Sequence, residues 1–420
     1  MALDAAAFGD TVLVAPGTYT TAEVRSVDLG GGVPVPTVSL AFLQDGVVLK
    51  SEAGPQSTVL DLQGQTASWA AVVVAAFLPS HGTVVDGFTI SGSPLGWNGM
   101  IVSECGKVTV RDCVFQDLDA TSVAYSGGGI TCGAAHLAVE RTIFRNCHAA
   151  EGGGVWFYEG DSASQGDLTV DGCTFENCSQ RALEVGGDFV APRRVALVKD
   201  TVFRGNSSNI GSGALGAFDY TMTIEGCSFY DNVATGAGGG AIALWVCNFT
   251  IRDCLFVRNS VGAGNGVGGA VYGGAIAGGS TVEQCTFYGN TQQWPGGGAA
   301  IYLDALYPTV TTHILQSNVI AANAGAKAVE AYRGMVDNSC NVFWENAAGD
   351  VQGFALDATD RVVDPQFCDV SFDDYQLSES SPCLPANSLG CGLVGSLGQG
   401  CGTTSIAPTT WARIKAMYGR

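Results

Sequence analysis

The segment Met222-Thr-Ile-Glu-Gly-Cys-Ser-Phe-Tyr-Asp-Asn232, with Gly238-Gly-Gly-Ala-Ile-Ala-Leu244 after it, holds one complete structural unit. Apolar side chains alternate at Met222 and Ile224, as on a half-buried strand. Cys227 and Phe229 repeat the alternation. Asn232 closes that run, and a glycine run then opens a third apolar run. Three short strands joined by tight corners make one coil of a solenoid.

The unit recurs along most of the chain. Aligned on its aromatic, the anchors are Phe115, Phe144, Phe175, Phe203, Phe229, Phe256 and Phe287, and Ile320 and Phe343 continue the series. Successive gaps from Phe115 to Phe287 are 29, 31, 28, 26, 27 and 31 residues. Five positions before each anchor stands Val or Ile, from Val110 to Val282. Two before it stands Cys or Thr: Cys113, Thr142, Cys173, Thr201, Cys227, Cys254 and Cys285. Three after it the column settles into Asn206, Asn232, Asn259, Asn290, Asn323 and Asn346.

A column that keeps its chemistry is a side chain stacked on its counterpart one coil away. The repeat therefore predicts an all-β chain, a single right-handed parallel β-helix of about ten or eleven coils. The asparagine amides are expected inside the bends, bonding to backbone and to one another. Gly127-Gly-Gly-Ile130, Gly152-Gly-Gly-Val155, Gly268-Gly-Ala-Val271 and Gly296-Gly-Gly-Ala299 mark the sharp corners before the third strand.

Composition narrows the function. The 420-residue chain has 46% hydrophobic and 14% charged residues and 59 glycines, so it packs rather than remaining disordered. A net charge of −20 excludes a nucleic-acid partner and an anionic membrane surface. It is compatible with weak Ca²⁺ binding by carboxylates. Membrane insertion is not expected, since the most apolar run, Ala70 to Leu78, is too short to span a bilayer. Met1 to Asp10 already reads as folded-domain sequence, and the expectation is that a signal peptide has been removed. Fifteen cysteines without a Cys-x-x-Cys pair point to an extracellular, oxidising compartment with some disulfides.

Four segments follow. Residues 1–81 hold an N-terminal cap and first coils, with a helix end near Leu3 to Phe8 and a loop over 25–41. Gly82 to Gly92 is the first clear coil, and residues 82–346 carry the regular repeats. Residues 347–401 form a Cys-rich C-terminal cap, because a solenoid end exposes strand edges and core. Residues 402–420 form a tail in which Trp411, Ile414 and Met417 share one face of a short amphipathic helix.

The alternation of Phe229-Tyr-Asp-Asn232 with Gly239-Gly-Ala-Ile242, and of Phe256-Val-Arg-Asn259 with Gly268-Gly-Ala-Val271, resembles the repeats of polymorphic outer-membrane proteins. More broadly, residues 82–346 resemble secreted bacterial right-handed β-helix proteins of the pectate-lyase-like superfamily. The resemblance implies a secreted or cell-surface protein, adhesive in the first group. It departs from that group in showing no membrane barrel.

Two classes of function compete. The first is a structural, adhesive or glycan-binding surface, whose platform is Trp156, Tyr158, Trp245, Tyr272 and Tyr302 beside the third strands. The alternative is a polysaccharide lyase acting on an acidic, uronate-containing chain. It needs a base and a group that neutralises a carboxylate, for which Arg181, Glu184, Asp188, Arg193, Arg194 and Lys199 are the candidates. A hydrolase of the polygalacturonase type lacks its Gly-His-Gly, so Arg413-Ile-Lys415 is coincidental. His81, His136, His148 and His313 read as exposed loop residues. Self-association through the solenoid ends is a third option. Disulfide candidates are Cys147 with Cys178, and the capping residues Cys368, Cys383, Cys391 and Cys401. The other stacked cysteines read as small buried apolar residues.

Overall fold

The computed structural model describes residues 2–29, 32–63, 71–92, 98–121, 127–158, 166–187, 193–262, 266–276, 278–294, 296–306 and 311–402. Short strands wind into three long parallel sheets of 12, 13 and 12 strands. The chain is one right-handed parallel β-helix, with almost no helix among the described residues. The coil built on the opening segment contributes Thr221–Glu225 to the first sheet, Ser228–Tyr230 to the second and Ile242–Trp245 to the third. A small fourth sheet forms where the asparagine corners lie side by side, as at Val233–Ala234.

The expected columns point inward. The seven phenylalanines from Phe115 to Phe287 are fully buried and stack face to face, with centroids 4.6 to 5.0 Å apart. This places an aromatic pair, worth about 0.5–1.5 kcal/mol beyond area burial, at each step. In the bends, Asn232 Nδ2 donates to Phe203 O (3.0 Å) and to Asn259 Oδ1 (2.9 Å). Its Oδ1 accepts from the backbone N (3.1 Å) and Nδ2 (2.9 Å) of Asn206. Each amide thus satisfies buried groups of both neighbouring coils, which would otherwise cost about 1–3 kcal/mol each.

The cysteine column becomes a second asparagine ladder in the last coils. Cys285 N donates to Asn318 Oδ1 (2.9 Å), Asn318 Nδ2 to Asn341 Oδ1 (3.0 Å), and Asn341 Nδ2 to Asp360 Oδ1 (3.0 Å). Asp360 thereby ends the ladder at the C-terminal edge.

In the N-terminal segment, Thr11–Val14 and Gly17–Tyr19 pair in parallel with Val48–Ser51 and Thr58–Asp61. Several expectations are corrected. Residues 25–41 are not a loop. Glu23–Val27 and Val35–Ser39 form an antiparallel hairpin, and Val27 and Phe42 cover the outer face of Ala71–Ala76. That second cover explains why Ala71–Ala76 is apolar on both faces.

Cys147 and Cys178 are buried free thiols, not a disulfide. Parallel neighbours in one column leave the sheet in the same direction about 4.8 Å apart, wider than the roughly 3.8 Å between Cβ atoms that a disulfide needs. Their thiols donate instead to Phe115 O (3.5 Å) and Phe144 O (3.7 Å). Cys383 is also free and buried. The disulfides are Cys340–Cys391 and Cys368–Cys401. His313 is no loop residue. It is buried on Thr312–Gln316, bonded to Ser280 Oγ (2.9 Å) and Arg333 O (3.0 Å).

The C-terminal segment does more than plug the end. Phe354 packs against the terminal core, while Leu377, Cys383 and Val394 pack on Val319, Ala321 and Val342. The segment therefore lies along the outer face of the second sheet. Arg258 anchors it through Asp373 (2.5 Å) and also holds Asp231 (2.8 Å). The proposed tail helix falls in residues 403–420, outside the described residues. No helix is long and apolar enough to cross a membrane among the described residues.

Candidate functional site

The first sheet carries a ladder of charges outside, and the cap covers part of the second. The third sheet presents aromatic rings instead. Its strands stack in register, so alternate side chains form two outward columns. One column reads Trp156, Glu184, Gly216, Ala243, Tyr272, Tyr302 and Glu330. The other reads Tyr158, Gly186, Phe218, Trp245 and Gly274.

Trp156 stacks on Tyr158 at 5.4 Å. Trp245 lies 5.8 Å from Tyr272, and Tyr272 lies 5.9 Å from Tyr302. A methyl at Gly274 would stand 2.2 Å from the Tyr272 hydroxyl, so glycine lets that ring lie flat along the sheet. Trp245 is 47% exposed. The five expected aromatics thus occupy one face, in two groups. Phe218 joins them; its place after Leu215-Gly-Ala, matching Ile242-Ala-Leu-Trp245, is the signal that would have found it.

Glu184 and Arg181 fill the gap between the groups. In the coils on either side a glycine-rich corner, Gly152-Gly-Gly154 or Gly211-Ser-Gly213, turns the chain into the third sheet; here Gln180-Arg181-Ala182 does so. Gln180 and Arg181 both take left-handed backbone, at φ 58° and 66°, a costly conformation for side chains of this size. The corner is also short. Leu183 follows Cys178 by five residues, whereas Leu215 follows Asn206 by nine and Ile242 follows Asn232 by ten. A notch opens in the wall, and a cleft of about 540 Å³ extends from it.

The Arg181 side chain runs down the cleft over the next coil. A methyl on Gly216 would stand 2.6 Å from Arg181 Cδ, and one on Gly211 would stand 2.5 Å from its Nε. Both glycines therefore make its bed. Arg181 Nη1 donates to Glu184 Oε1, and Nη2 donates to Ile210 O (3.3 Å). Arg181 Nε and Glu184 Oε2 are buried without a partner. Phe218, Trp245 and Tyr272 line the rest of the cleft. Burial pushes the Glu184 carboxyl up to about 7, against the pull of Arg181 and with help from Glu151.

The remaining charged candidates lie elsewhere. Arg193 donates to buried Asp219 (2.7 Å), beyond the far end of the third-sheet strand Leu215–Phe218. Arg194 stands just before first-sheet strand Val195–Lys199, where its carbonyl accepts from Thr221 N (2.8 Å). Lys199 pairs with Asp171 (3.0 Å) in the ladder outside the first sheet. Asp188 lies outside the described residues. Among the described residues no group of three or more His, Cys, Asp or Glu side chains converges as a metal site would.

Fold and cleft together define a right-handed parallel β-helix with an aromatic, ion-paired groove on one flank. A family model described as "Right handed beta helix region" matches residues 133–313. No curated protein matches the chain in sequence. Similar solved structures include the mannuronan C-5 epimerase AlgE4 A-module of Azotobacter vinelandii, with 16% identity and TM-score 0.35 over 86% of this chain and 93% of that one. Another is a PL6 alginate lyase complexed with a trisaccharide, with 10% identity and TM-score 0.31 over 94% of this chain. This chain spans 65% of that lyase chain. At these identities and TM-scores, neither carries a statement of activity over to this protein.

Proposed function

We propose that the protein is a secreted or cell-surface β-helix that binds polysaccharide along the outer face of its third sheet. The observation that carries this reading is the cleft itself: Phe218, Trp245 and Tyr272 line a groove that ends on Arg181 and Glu184. The exposed Trp245 and the half-buried Phe218 and Tyr272 offer flat apolar faces to sugar rings, while a few convergent polar groups fix orientation. Strands about 4.8 Å apart repeat that surface along the axis, which suits an extended chain. Two disulfides support the extracellular placement.

A polysaccharide lyase is the second reading, and Glu184 favours it. A carboxyl near neutrality is matched to abstract a proton at physiological pH, and Arg181 beside it would neutralise a uronate carboxylate. A glycan array combined with a uronate-lyase screen, with and without Ca²⁺, separates the two. Retention of glycans without new ultraviolet absorbance from an unsaturated product is expected. Appearance of that absorbance, abolished by Glu184→Gln, transfers the conclusion to the lyase.

A further inference from the structure

We infer that the Arg181–Glu184 pair is an exchange site for an anion carried on a sugar, whose carboxylate or sulfate replaces the Glu184 carboxylate on the guanidinium. The inference rests on the polysaccharide reading of the cleft and names the ligand chemistry. Arginine offers five N–H donors in a planar fork suited to bidentate oxyanions. Here Nη1 reaches Glu184 and Nη2 reaches Ile210 O, while Nε is buried without a partner. Glu184 Oε2 is equally without a partner. The pair holds each member but saturates neither, in a cleft with room for a sugar.

Exchange has a proton cost with a definite sign. Among the described residues the charged groups acting on Glu184 are Arg181 beside it and Glu151 from the preceding corner. Its column neighbours are Trp156 on one side and Gly216 on the other, which bring no charge. A displaced, ionised Glu184 would face both Glu151 and the incoming anion. It therefore takes up a proton as the anion binds, and its new O–H becomes a further donor to the ligand. Anion affinity rises as pH falls through the neutral range, by up to roughly tenfold per pH unit above the Glu184 midpoint.

The test is titration of the intact chain with glucuronate, galactose sulfate and glucose at pH 5.5 and 8.5, followed through the Arg181 Nε–H resonance and by calorimetry. The two anions are expected to shift that resonance and bind at least tenfold more tightly at the lower pH, while glucose leaves it unmoved. Glu184→Gln is expected to bind both anions tightly at both pH values, and Arg181→Lys to lose most of the affinity. Whichever anion binds identifies carboxylate or sulfate as the ligand group. Anion affinity that is flat with pH, or Glu184→Gln as weak as the wild type at pH 8.5, overturns the exchange. A neutral hexasaccharide forms a separate arm: its failure with the anions still binding removes the aromatic platform and leaves the anion site standing.

Discussion

Arg181 lies across Gly216 so closely that a single methyl there would stand 2.6 Å from its Cδ. The contact joins two coils through residues 35 positions apart. It means that the cleft's charged end depends on an absent side chain. Gly216→Ala is expected to leave the fold intact, because the atom it meets belongs to a flexible chain that can swing away. The guanidinium then leaves Glu184 and Ile210 O. Affinity for acidic oligosaccharide should fall by about tenfold, roughly 1.4 kcal/mol, with the thermal midpoint within a few degrees of wild type. Calorimetry beside thermal unfolding checks both halves; unchanged affinity would show that Arg181 has no part in binding.

Glu184 makes the folded chain sensitive to pH in a direction opposite to that of most carboxylates. Its ordinary value of 4.5 is raised to about 7 by burial. Between those values the folded chain holds a proton that the unfolded chain has released. Stability is therefore greatest below pH 4.5 as far as this group is concerned, and declines as pH rises through 7. The loss is on the order of 3 kcal/mol once the group is ionised in both states. Glu184→Gln removes it. Urea unfolding should show the variant more stable than wild type at pH 8.5 and the two nearly equal at pH 4.5. Equal stability at both pH values would refute the burial argument.

The inward chemistry of this fold was legible because it repeats. Phe229, Ile224 and Asn232 each sit in a column of like residues, and the same contacts recur at every step. Features that occur once were harder to read. Gly211 and Gly216 look like any other corner glycines until Arg181 is seen lying on them. Arg181 and Lys199 are close in sequence, yet the chain passes from the third sheet to the first between them and they face different sides. Asn318 and Asn341 fall in the cysteine column two before Ile320 and Phe343, so their ladder was within reach of the alignment. The lateral packing of Leu377 and Val394 was not, since an apolar residue does not say which surface it covers.

Thiol chemistry separates the observed cysteine arrangement from the one expected for Cys147 and Cys178. Eleven cysteines are free and buried, and four lie in two disulfides. Burial holds thiols such as Cys227 and Cys254 well above their ordinary range, and therefore protonated and unreactive. The native chain should give almost no reaction with an aromatic disulfide reagent. Unfolding without reductant should release the 11 free thiols, and reduction all 15. A count of nine after unfolding would mean that Cys147 and Cys178 are joined after all.

The asparagine ladder makes the sharpest demand on a single atom. Asn259 accepts from Asn232 N (3.1 Å) and Nδ2 (2.9 Å), and donates from its own Nδ2 to Phe229 O (2.9 Å) and Asn290 Oδ1 (3.0 Å). Aspartate has the same shape but no N–H, so Asn259→Asp keeps the two accepted bonds and turns both donated ones into contacts between acceptors. It also buries a charge whose hydrogen-bond partners, Asn232, Phe229 O and Asn290, carry no positive charge. The loss is expected to be about 3–5 kcal/mol at pH 7. Acidification should return part of it, because a protonated carboxyl recovers one donor. Asn346 is only partly buried at the ladder's end, where water can reach, so Asn346→Asp should lose much less. Urea unfolding of both variants at pH 7 and pH 4 makes the comparison. If Asn259→Asp loses no more than Asn346→Asp at pH 7, the ladder is not what holds the coils at that corner.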